Sequence, residues 1–193
     1  MTRNVTTGIL VAFIAAAIVA ILVLIFLMTN RDASTHTYPT ATASLVSQSG
    51  DAMGTVTFHQ QDDVVVVALD VSGFAPGGHA VAVHAVGSCS PDFTASGDHF
   101  GVEPSRAGFV HPNWKRDPVH GEHGGDLPNF YAHRDGSARA DFVTDGFTLL
   151  TGHDHSLFDA DGAAIVIYEK PQIYGAVEEN TGSRVACGVI TVN

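Results

Sequence analysis

The chain is short of positive charge. Nine Lys and Arg stand against 20 Asp and Glu, a formal net charge of −11 at pH 7. Nucleic-acid binding depends on Lys and Arg neutralising phosphates, so this balance argues against a nucleic-acid partner. It equally disfavours docking on an anionic lipid surface. Cysteine is nearly absent: Cys89 and Cys187 are the only two. They could form one disulfide or remain two free thiols, and the compartment decides which. No cysteine follows the apolar amino-terminal run, which excludes a lipid-modified cysteine there. There is no internal repeat, and no amphipathic helical pattern beyond the linker.

Histidine, in contrast, is plentiful, with 11 in 193 residues, which weakly favours metal chemistry. Long apolar runs occur once. Ile9 to Met28 reads ILVAFIAAAIVAILVLIFLM, without a charge or a polar face. At about 1.5 Å per residue it matches the roughly 30 Å hydrocarbon core of a bilayer and exceeds the usual apolar stretch of a signal peptide. Residues 1–28 are therefore expected to be a transmembrane anchor, with a cleaved signal peptide as the alternative. Residues 29–40, TNRDASTHTYPT, read as a linker.

From residue 41 to 193 the pattern is that of one all-β domain. Leu45 to Gln48, Met53 to His59, Val64 to Val71, His79 to Val86, Phe130 to Arg134, Arg139 to Val143, Ala163 to Glu169 and Arg184 to Val192 read as eight short strands. Asp135-Gly136 between two of them is a hairpin signal. Such strands with turn punctuation predict a sandwich or barrel. Gly87 to Gly125 interrupts the pattern with nearly forty residues of little strand character. A loop of that length in a compact domain is usually functional or disordered.

That loop holds His99, His111, His120 and His123, and Asp126 follows. Zinc takes four ligands, commonly imidazoles with a thiolate or carboxylate, in a tetrahedron. In His123-Gly124-Gly125-Asp126 two glycines let the backbone fold back so that both side chains reach one ion. Spacing alone leaves a metal site and a solvated histidine-bearing loop equally open. His153 and His155 lie in a separate, exposed-looking segment, where metal capture is the less favoured reading.

The order of four segments resembles the copper/zinc superoxide dismutase family, and the bacterial branch in particular. They are HAVGSC from His84, SGDHF from Ser96, HGGDL from His123 and GSRVACGVI from Gly182. The resemblance runs from about residue 41 to the end. It implies an eight-stranded Greek-key β-barrel, a Cys89–Cys187 disulfide and export of the domain. It implies zinc ligands His99, His111, His123 and Asp126, with His120 as the alternative to His111. His99 takes the place of the imidazole shared between copper and zinc, Arg184 that of the arginine guiding the superoxide anion, and His79 that of a structural histidine.

The copper half departs from the family. Ala82 stands where the first histidine of an H-x-H pair is expected, so of that pair only His84 remains. Tyr168 stands where another copper histidine is expected, and Gln172 where an aspartate links the two metal sites. Zinc has no redox step, so dismutation needs copper, which two histidines hold poorly. Tyr168 is expected to fill the lost imidazole's volume and hydrogen-bond locally, phenolate ligation being the alternative. The expected function is thus a membrane-anchored, extracytoplasmic domain that binds zinc, holds little or no copper, and serves as a structural or binding module. An active dismutase with an altered copper site is the alternative, and transient copper handling at His84 and His99 a third reading. Expected partners are the membrane itself, and a membrane protein complex or a second copy of the chain. The expected location is the cell membrane, single-pass, with the carboxyl-terminal domain on the periplasmic or cell-wall side.

Overall fold

The structure, a computed structural model, describes residues 14–26, 37–101, 124–173 and 180–193. The chain divides into two units, Met1–Thr37 and Tyr38–Asn193. In the first, residues 14–26 form a helix whose large apolar side chains are exposed. Thirteen residues reach only about 20 Å at 1.5 Å rise per residue. Among the described residues no helix is long and apolar enough to cross a membrane. The expected span from Ile9 to Met28 runs past the described helix at both ends.

The second unit is an all-β, nearly closed barrel. Its strands are β1 (Thr40–Ser47), β2 (Ala52–Gln61), β3 (Val64–Val71), β4 (Gly77–His84), β5 (Asp126–Ala132), β6 (Ala138–Thr144), β7 (Ala164–Tyr168), β8 (Arg184–Val189) and the short β9 (Thr191–Val192). Hydrogen-bonded neighbours run β5-β4-β7-β8-β1-β2-β3-β6, with β9 beside β1. The connections from β3 to β4 and from β6 to β7 therefore cross the barrel ends, as in a Greek key.

Alternation decides what faces inward. On β3, Val65, Val67, Leu69 and Val71 are buried while the residues between them are not. That is the period-two signature of a sheet with one covered face. β4 and β7 differ, being buried on both faces. Val81, Val83, Ile165 and Ile167 enter the main core. Ala80, Ala82, Ala164, Val166 and Tyr168 face the other way and form a second cluster with Phe93 and Cys187. Small alanines on that outer face let the segment after β4 lie close over it. A short 3₁₀ turn, Phe93–Ser96, is part of this cover.

Two expectations change. The strand read as Arg184 to Val192 breaks into β8 and β9. At the break, the Ile190 N–H turns away to the Ala163 carbonyl at 2.9 Å. The Asp135-Gly136 signal makes a tight turn, with the His133 N–H on the Ser137 carbonyl at 2.8 Å. The flanking strands then part: β5 pairs with β4 and β6 with β3. They end the two sides of the ladder, where the barrel nearly closes. The Cys89–Cys187 disulfide is formed, with Cα atoms 5.9 Å apart, and ties the loop after β4 to β8.

Candidate metal centre

The centre is assembled on the outer face of β4 and β7. His84 ends β4, and the chain returns from the 3₁₀ turn to pair His99 against it in an isolated antiparallel bridge. The Ala85 N–H on the Asp98 carbonyl at 2.9 Å holds that return. The two imidazoles sit 4.7 Å apart, edge to face. Tyr168 ends β7. The ladder sets Ala82 opposite Val166 and His84 opposite Ala164, so Tyr168 starts two residues beyond Ala82's partner. Its long ring reaches back along the outer face toward His84.

The phenol oxygen of Tyr168 lies 2.9 Å from Nε2 of His84 and 3.0 Å from Nε2 of His99. Two imidazole nitrogens thus converge on one point, and a hydroxyl oxygen occupies it. Beside it, Nδ1 of His99 lies 2.6 Å from Oδ1 of Asp126, the first residue of β5. Nδ1 of His84 donates to the Gly97 carbonyl at 2.9 Å. His84 is fully buried. Burial, then the neighbouring His99, pushes its pKa down to about 3, so it is neutral at physiological pH.

Arg184 braces the loop that carries His99. Its Nη1 donates to the Phe93 carbonyl at 2.7 Å and the Ser96 hydroxyl at 3.0 Å, and its Nη2 to the Gly97 carbonyl at 3.0 Å. In this arrangement it pins the 3₁₀ turn, and the Gly97 carbonyl serves both Arg184 and His84. Among the described residues no buried side-chain nitrogen or oxygen lacks a partner.

The expected residues fall into three groups. His84, His99, Asp126, Tyr168 and Arg184 come together, with Ala82 buried beside them. His111, His120 and His123 lie outside the described residues. His79, His153 and His155 stand apart. His79 is buried between Phe74 and Phe130 and bridges the Ala75 and Tyr168 carbonyls at 2.8 Å each, a structural position. His153 and His155 line an open cleft of about 300 Å³ with Gln60, Asp62, Asp63, Asp145 and Asp154. Among the described residues no three His, Cys, Asp or Glu side chains form a group that could hold a metal ion.

Among the described residues the donors present are half of a zinc set and two imidazole nitrogens on the copper side. His99 and Asp126 offer a nitrogen and an oxygen face to face, half of a tetrahedral set. The Tyr168 hydroxyl lies between those two imidazole nitrogens, and Ala82 presents only a methyl on the same face of β4.

Sequence reading missed Gly97, whose carbonyl orients His84, although it stands two residues before His99. It also missed Asn129, which anchors the segment after β7. Asn129 donates to the Gln172 carbonyl at 2.8 Å and accepts from the Gln172 N–H at 2.9 Å. The glycine pair before Asp126 matters for closeness. The Gly125 N–H bonds the Phe100 carbonyl and its carbonyl accepts from the Val83 N–H. A Cβ there would lie 2.2 Å from the Val83 carbonyl oxygen and 3.0 Å from Phe100 Cβ. Gly125→Ala is expected to cost about 1–3 kcal/mol by overpacking and to lower the thermal midpoint. A midpoint equal to that of the unaltered protein would show that β4 and β5 need not approach so closely.

The family model for copper/zinc superoxide dismutase (SODC) matches residues 52–190. The copper–zinc superoxide dismutase of Caulobacter vibrioides is 34% identical over 154 residues, 78% of this chain and 84% of that protein. Superoxide dismutase [Cu-Zn] 2 of Aquifex aeolicus is 31% identical over 153 residues, 78% of this chain and 85% of that protein. Among solved structures, the P104H mutant of a superoxide dismutase-like protein from Bacillus subtilis superposes with a TM-score of 0.66 at 28% identity. That match covers 77% of this chain and 95% of the other.

Proposed function

The chain belongs to the copper/zinc superoxide dismutase family, and from that premise we propose that it is a zinc-binding member without dismutase activity, acting as a structural or binding module. The observation that carries this reading is the Tyr168 hydroxyl, 2.9 and 3.0 Å from the two imidazole nitrogens that a copper ion would use. An ion at that point would have to displace a buried phenol that already satisfies both rings. It would then find two imidazoles, a methyl and a phenol of reference pKa near 10. Copper would supply the one-electron step of dismutation; with this donor set no such step is assigned.

Zinc is retained in the proposal because its donors among the described residues are intact and already face each other. His99 and Asp126 would hold it with His123 and with His111, or His120 in its place. Zinc would tie the loop after β4 to β5, adding folding free energy that the loop's own composition lacks. The amino-terminal apolar run is proposed as a membrane anchor with the domain outside the cytoplasm, in keeping with the disulfide. A membrane protein complex or a second copy of the chain is the proposed partner class.

Elemental analysis of protein prepared without chelators, with an assay of superoxide consumption, tests the reading. One zinc per chain, copper far below one, and no turnover after copper loading are expected. Stoichiometric copper with activity would establish the alternative, a working dismutase with an altered site.

A further inference from the structure

We draw no further inference here: the strongest candidate, the open acidic cleft of about 300 Å³ lined by Asp62, Asp63, Asp145, Asp154, His153 and His155, carries nothing, because its buried polar side chain, Gln60, already spends its amide on Asp62, Val64, Thr148 and Leu149 and nothing among the described residues shows what would fill it.

Discussion

Breaking the Cys89–Cys187 bridge is expected to destabilise the barrel by about 4–5 kcal/mol in the chain-entropy model. The two cysteines are 98 residues apart, so the bond closes a long loop that the unfolded chain would otherwise explore freely. Loop-closure cost grows slowly with length, which puts this bridge near the upper end of the usual range. The native side reinforces the effect. Cys187 lies on β8 between Val46 and Val166, fully buried, and Cys89 packs against the outer cluster that covers β4 and β7. Losing the bond frees the loop that carries His99 as well as the unfolded chain. For a domain of this size the midpoint should fall by roughly 10–20 °C. Thermal and urea unfolding of the unaltered protein, with and without reductant, and of Cys89→Ala/Cys187→Ala give the measurement. A midpoint indifferent to reductant would mean that the barrel, not the bridge, holds the loop.

The other large effect is expected when the copper half is rebuilt. The unaltered protein, loaded with copper, should consume no superoxide above background. Ala82→His with Tyr168→His removes the phenol from the convergence point and supplies two further imidazoles. Ala82 and His84 lie two apart on one strand and therefore on one face, so the new ring at 82 starts on the correct side. The space is tight, because Ala82 is buried among Ala80, Phe93, Ala164 and Val166. An imidazole there is expected to strain the cluster by about 1–3 kcal/mol. Copper binding is expected in the double variant. Adding Gln172→Asp should raise copper affinity or activity by a further 10-fold or more, in the range of about 10–100-fold for groups that orient ligands. Copper-dependent turnover by the unaltered protein, abolished by His84→Ala, would overturn the proposed function.

Much of this was legible in residue order. Alternating or continuous apolar runs announced β2, β3 and β7 within a few residues, because one or both faces of each must be apolar to be buried. HAVGSC and GSRVACGVI marked the disulfide partners and the strand that bears His84. Ala82 and Tyr168 were singled out as expected departures from the family, Ala82 by its place two residues before His84 on β4. Asp135-Gly136 correctly marked a tight turn but not the pairing of its flanking strands. A turn signal is local, whereas β5 and β6 each found a stronger neighbour elsewhere, β4 and β3.

The sequence alone determined that the domain is a small acidic β-protein of this family and that its two cysteines suit a bridge. These are properties of composition, period and motif, all readable within short windows of chain. Tertiary structure decided which groups Tyr168 and Arg184 meet. The hydroxyl of Tyr168 meets rings that lie 84 and 69 residues away in the chain, on β4 and on the loop that follows it. The guanidinium of Arg184 grips the Phe93 carbonyl, the Ser96 hydroxyl and the Gly97 carbonyl, each about ninety residues away in the chain. Which donor meets which acceptor depends on ladder register and on where a loop returns. Both are set by the packing of the whole barrel, and no local window of sequence contains them.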